Sequence, residues 1–195
     1  MAGTADILIE PLEGISDEDL EDLCDAAESA ILDGGGFGWL KPPPRTVFSR
    51  YFRGVTLVPE RHLFVGRLDG RIIAAAQLQE PPRNNEAQSH MATLTTLFVA
   101  PWARGHGTAA MLATAVENKA RDLGYLILQL DVRATQIAAI KLYEETLGFE
   151  RWGTNPNYAF VDGEMVAGHY FTKSLRTLPR RGRRHKGGKK GGKSS

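Results

Sequence analysis

The chain has 195 residues, 42% hydrophobic and 24% charged, which is the balance of one ordinary globular domain with length enough for a sizeable core. A single cysteine, Cys24, excludes a disulfide framework and a cysteine-rich metal site, and no apolar run reaches membrane-spanning length. The net charge of +1 conceals an asymmetry: residues 1–40 carry eleven acidic and no basic side chains, residues 176–195 carry nine Lys/Arg and no acid, and residues 1–175 therefore hold −8. The first residues lack a basic-then-apolar signal, so a cytoplasmic protein is expected. The five histidines (His62, His90, His106, His169, His185) show no ligand spacing, so no metal is expected.

Residues 7–9 read as a first strand. Ser16 is a plausible N-cap, with Asp17, Glu18 and Asp19 in the first turn, where the helix dipole favours acids. Leu20, Leu23, Ala27, Ala30 and Ile31 then form a helical stripe that stops at Gly34-Gly35-Gly36. The acidic outer face of this helix reads as a solvated surface or, more sharply, as a docking face for a cation. Residues 34–44, rich in glycine and proline, form a loop, and a second helix follows over residues 45–54. Two strands, residues 62–68 and 71–78, are joined by Asp69-Gly70, the dipeptide preferred in a type I′ hairpin turn. Residues 81–89 are a polar loop.

The central stretch comes next. Residues 92–99 are apolar and β-branched, and Pro101 ends the strand because it has no N–H to donate. Arg104-Gly105-His106-Gly107 leads into Thr108 and Ala109, and then Met111, Leu112, Ala115, Val116, Ala120 and Leu123 recur at helical spacing up to Gly124. A glycine turn before a helix exposes unpaired N–H groups at the positive end of the macrodipole, which suits a diphosphate; an ordinary tight turn has the same spelling. It is neither a Walker loop nor a full dinucleotide fingerprint. Residues 125–132 read as a strand buried on both faces. Thr135 or Gln136 starts a helix carrying Ile140, Leu142 and Tyr143, and residues 149–154, 158–161 and 165–173 read as closing strands with a turn at Asp162-Gly163.

The segment from Val99 to Ala109, with Arg104, Gly107 and Ala109 in the Arg/Gln-x-x-Gly-x-Gly/Ala slots, resembles the acetyl-CoA-binding motif of the GNAT superfamily of N-acetyltransferases. Gly34 to Leu40, Ala76-Gln77-Leu78, Leu128 to Asp131, and Leu142-Tyr143 through Gly148-Phe149 extend the resemblance over roughly residues 6–175, and the pattern looks like the branch containing the tabtoxin-resistance acetyltransferase. The resemblance implies one α/β domain over residues 1–175, with a mixed, mostly antiparallel sheet of about seven strands splayed between the fourth and fifth and about four helices. It implies acetyl-CoA as co-substrate, held by Arg104, Gly105, His106, Gly107, Thr108 and Ala109. Leu97, Phe98 and Val99 correspond to a bulge that frees backbone N–H groups, and Gln136 stands where an asparagine often touches CoA. Tyr143 corresponds to the general acid that protonates the thiolate, and Asp131 to a general base.

Departures and alternatives attach to several of these residues. Gly148 lies five positions after Tyr143 where four are usual, so an inserted residue calls for a bulge or an early helix end. Asp131 equally suits a cap for the helix near Thr135, and Glu80 and His90 are weaker bases. Phe37 and Trp39 line the acceptor pocket or plug the core. The expected activity is acetyl transfer to a small primary amine; peptide acetylation or non-catalytic CoA binding are the rivals. The chain is expected to be a monomer or homodimer without membrane contact. Residues 176–195, a basic Gly/Lys/Arg tail, are expected to be disordered, as a solubilising extension, a weak polyanion contact, or a cover for the acidic first helix.

Overall fold

A computed structural model describes residues 6–35 and 37–176. The chain runs β1 (Ile7–Pro11), α1 (Asp17–Leu32), α2 (Arg45–Leu57), β2 (Arg61–Leu68), β3 (Arg71–Gln79), β4 (Met91–Val99), α3 (Thr108–Asp122), β5 (Ile127–Arg133), α4 (Ile137–Lys141), β6 (Glu150–Val161) and β7 (Glu164–Ser174). Seven strands form one sheet in the order β1-β2-β3-β4-β5-β7-β6, antiparallel except between β4 and β5. Of the expected tail, residues 176–195, all but Arg176 lie outside the described residues. Within them, no helix is long and apolar enough to cross a membrane.

The local signals fold as they read. Ser16 caps α1, its hydroxyl accepting from the Asp19 N–H at 3.0 Å. Asp69 and Gly70 both take positive φ, at 50° and 84°, as a type I′ turn between β2 and β3 demands. The core gathers where the helices cover the sheet. Phe48 and Phe52 of α2 are at 1% and 0% exposure, and full burial of such rings contributes about 1.5–3 kcal/mol each.

The acidic face of α1 is largely solvent-exposed, as expected, and most of its carboxylates are also paired within the fold. Asp17 pairs with Arg53, Asp19 with Arg67 and Asp22 with Arg71, while Arg45 draws together Glu21, Asp25 and Glu28. These cations come from α2, β2 and β3, so the face is tied to its own fold.

The two strands expected over residues 149–154 and 158–161 are one. β6 continues through Asn155-Pro156-Asn157, which an edge strand tolerates because the proline's missing N–H can face away from the ladder. The price is a register shift: Asn155 pairs with Gly168 and Ala159 with Val166, so four steps on β6 match two on β7.

Candidate active site

β4 and β5 pair only from Met91 to Thr93 against Ile127 to Gln129. Beyond Thr93 they diverge, as expected of a sheet splayed between its fourth and fifth strands. On its other side β4 bulges. Gln77 pairs with Thr95 and Ala75 with Phe98, so β4 carries one residue more than β3, and Thr96 takes φ 55°. A non-glycine residue held there costs on the order of 1–3 kcal/mol and needs support. The support is a small polar chain: Gln77 Nε2 donates to Tyr51 Oη at 3.1 Å, and Tyr51 Oη lies 3.3 Å from Thr96 Oγ1. Phe37 stacks on Phe98 of the same bulge, centroids 5.0 Å apart.

After β4 a short turn over Pro101–Ala103 leads to Gly105 and Gly107, at φ 87° and 74°, and Gly107 caps α3 in the left-handed region. A Cβ at either glycine would meet nothing within 4 Å, so both are required by the backbone angle while their outer side stays open. The start of α3 is pressed against the sheet: a Cβ on Gly66 of β2 would sit 3.0 Å from Thr108 Cγ2.

This turn and helix start form the floor of a cleft of about 310 Å³, walled by Leu97, Phe98 and Val99 of β4 and by Ala138, Ala139, Leu142 and Tyr143. Of the residues expected to hold acetyl-CoA, Leu97, Phe98, Val99, Arg104, Gly105, Gly107, Thr108, Ala109 and Gln136 line the cleft. His106 does not; its Nδ1 lies 3.3 Å from the Ala103 carbonyl oxygen. The Arg104 charge is already engaged, with Nη1 2.5 Å from Asp33 Oδ2 and Nε donating to the Val99 carbonyl at 3.3 Å. Gln136 Nε2 donates to the Gly34 carbonyl at 2.5 Å, as does Arg133 Nη2 at 3.2 Å. The loop after α1 is thereby tied across the splay. The glycine floor, open toward the cleft at a helix N-terminus, fits a diphosphate.

A second cleft, of about 620 Å³, opens on the other side of the same junction. Gly35, Leu97, Gln136, Ala139 and Tyr143 line both clefts. Thr95, Thr96, Phe37, Asp131, Tyr158 and Phe160 are among its walls. Trp39 is absent from them and packs on Phe48 and Tyr51, at 4.9 and 5.0 Å, so it belongs to the aromatic core while Phe37 serves both core and cleft.

Tyr143 is buried, its ring against Phe149 and Phe171 at 5.9 and 6.1 Å. Burial pushes its phenol well above the ordinary value, and the nearby Asp131 carboxylate adds to the shift. The extra residue between Tyr143 and Gly148 is absorbed as a π-helical turn over Leu142–Thr146, where the Leu147 N–H reaches back to the Leu142 carbonyl at 3.0 Å. The chain then closes with Gly148 at φ 68° and the Phe149 N–H on the Tyr143 carbonyl at 2.9 Å. One inserted residue in a helix is what a π-turn accommodates, and such turns concentrate at functional sites.

Asp131 is exposed in the second cleft and does not cap a helix, since α4 begins without a side-chain cap. Its Oδ2 accepts instead from the Tyr158 hydroxyl, a partner sequence reasoning missed. Glu80 is engaged elsewhere, by His62 Nε2 at 2.7 Å and by the Tyr125 hydroxyl at 2.5 Å. Neither Glu80 nor His90 lines either cleft. Among the described residues no group of three or more His, Cys, Asp or Glu side chains could hold a metal ion.

A seven-stranded α/β sheet splayed at its parallel pair, with a glycine-floored cleft on one side of the splay and a second cleft meeting it, defines an acyltransferase-type fold. The acetyltransferase (GNAT) family matches residues 21–149. An uncharacterized N-acetyltransferase from the hisH–hisA intergenic region of Azospirillum brasilense is 59% identical over 131 residues, covering 67% of this chain and 78% of that protein. The chain therefore belongs to the GNAT family, and it is an N-acetyltransferase. Solved structures share the fold at lower identity. An N-acetyltransferase from Staphylococcus aureus superposes with TM-score 0.75 at 20% identity, over 88% of this chain and 99% of that one. A phosphinothricin acetyltransferase from Sinorhizobium meliloti, in complex with acetyl-CoA, superposes with TM-score 0.71 at 20% identity, over 90% and 94%.

Proposed function

We propose that this enzyme transfers the acetyl group of acetyl-CoA to the primary amine of a small molecule, by direct attack while both substrates are bound. The observation that carries the reading is the junction itself: the 310 Å³ cleft and the 620 Å³ cleft share Gly35, Leu97, Gln136, Ala139 and Tyr143 as lining, beside the point where β4 and β5 part. The diphosphate rests on Gly105, Gly107 and the start of α3, and the thioester reaches past the β4 bulge to the junction. Backbone N–H groups of Leu97, Phe98 and Val99 hold the pantetheine and the oxyanion, the latter by groups aimed in advance at charge that develops only in the transition state.

The amine nitrogen attacks the thioester carbon and gives a proton to Asp131. The C–S bond breaks, and the thiolate takes the Tyr143 phenol proton. The proton on Asp131 then restores the phenol, so the enzyme returns to its starting state. Burial keeps Tyr143 protonated at rest, and the same dry surroundings raise the basicity of the departing thiolate.

A small acceptor is favoured because the second cleft, of about 620 Å³, is lined by the loop residues Gly35, Phe37, Gly38 and Leu40 as well as by Tyr158 to Phe160. The position of Asp131 on β5 supports the likeness to the tabtoxin-resistance branch. The transferase domain ends near residue 175, the basic segment beyond it takes no part in transfer, and the enzyme works in the cytoplasm. The test is thiol release from acetyl-CoA with a panel of alkylamines, aralkylamines, polyamines, amino acids and short peptides. A rate confined to peptides, or no rate with any amine, overturns the reading.

A further inference from the structure

We infer that Tyr158 is a positioning residue for acetyl transfer, which orients Asp131 toward the acceptor amine. The inference rests on the reading of Asp131 as the base.

The observations begin in β6. Between Asn155 and Ala159 this strand spends four steps where β7 spends two, and the excess arches out of the ladder. Local chemistry builds the arch: the Asn157 N–H donates to Asn155 Oδ1 at 2.9 Å, a side-chain turn, and Pro156 fixes the backbone between them. The arch delivers Tyr158 inward across β7. There the ring lies on Gly168, so closely that a Cβ at that position would fall 2.1 Å from Tyr158 Cγ. Gly168 is not in the left-handed region, so its backbone does not call for glycine; the ring above it does. Tyr170 flanks the ring edge-on, centroids 6.1 Å apart.

The seated ring points its hydroxyl at β5, where it donates to Asp131 Oδ2. Asp131 faces the second cleft from an exposed position, and an exposed carboxylate on a strand has rotamer freedom unless something holds it. A donated hydrogen bond to one oxygen fixes the plane of the carboxylate and leaves Oδ1 for the amine. Two features of the fold, an arched edge strand and a bare glycine in its neighbour, converge on that bond. A structural tyrosine would need neither to point into the cleft nor to meet a carboxylate there.

The test uses the full chain and the amine that the panel above turns over fastest. Tyr158→Phe keeps the ring on Gly168 and removes only the hydroxyl. We expect kcat/KM for the amine to fall at least about tenfold, with acetyl-CoA affinity and thermal midpoint little changed. In an Asp131→Asn background the same change should cost nothing further, because there is no carboxylate left to orient. Gly168→Ala, which displaces the ring, should reproduce the loss. A wild-type rate in Tyr158→Phe, or an undiminished extra loss in the Asp131→Asn background, overturns the inference while Asp131→Asn alone reports on the base. A wild-type rate in Asp131→Asn overturns both.

Discussion

Gly107 offers a perturbation whose two effects can be separated. It caps α3 at φ 74°, and a Cβ there would meet nothing within 4 Å. Gly107→Ala therefore meets no steric obstacle but forces an L-residue into the left-handed region, at a cost of about 1–2 kcal/mol in stability. Gly107→Glu carries the same strain and adds a carboxylate at the mouth of the helix N-terminus. At about 5 Å from a bound phosphate, and at an effective dielectric near 20, one such charge opposes binding by about 3 kcal/mol before salt screening. Titration calorimetry with acetyl-CoA should thus show affinity within a few-fold of wild type for the alanine variant. It should fall at least tenfold, about 1.4 kcal/mol, for the glutamate variant, and more steeply at low salt. Thermal unfolding should lower both variants equally. Unchanged affinity in a folded Gly107→Glu protein would mean that the diphosphate is not held at this turn.

Two other outcomes follow from charges near the site and beneath it. Asp33 holds Arg104 in an ion pair at the rim of the donor cleft, so Asp33→Asn should free the guanidinium and tighten acetyl-CoA a few-fold, read by the same titration; weaker binding would show that the pair prepares the site. Burial alone would raise the carboxyl of Glu117, but hydrogen bonds from Lys173 and Arg121 hold it below its ordinary value of 4.5. The contribution of a depressed carboxyl is whole above that value and lost as pH falls below it. The melting-point gap between wild type and Glu117→Gln should accordingly be full at neutral pH and close progressively as pH falls below 4.5; a gap that persists in acid would refute the linkage.

What the sequence made legible was local. The strand, glycine turn and helix from Met91 to Asp122 announce themselves by β-branched composition, by glycines at the two positions that need positive φ, and by 3.6-residue spacing. The Asp69-Gly70 hairpin and the Ser16 cap are equally short-range. What stayed hidden depends on partners far apart in the chain. Nothing near Asp131 announces Tyr158, 27 residues later, because the arch in β6 that joins them is a mismatch of register with β7. Arg104 reads as a free charge until Asp33, 71 residues earlier, is seen to hold it. The acidic face of α1 is largely solvent-facing, as it reads, but its ion pairs stay hidden for the same reason, since their cations arrive from three later elements. The insertion after Tyr143 was countable in the sequence, but only the fold decides that a π-turn absorbs it.

The central claim is that Tyr143, at the meeting of the two clefts, supplies the proton to the departing thiolate. Tyr143→Phe keeps the ring between Phe149 and Phe171 and removes that proton. The measurement is single-turnover acetyl transfer with the fastest amine of the panel, so that chemistry limits the rate, alongside acetyl-CoA affinity. The account predicts a fall of about 10² to 10⁴ in the transfer rate with affinity little changed. A wild-type transfer rate in a folded Tyr143→Phe enzyme would contradict it.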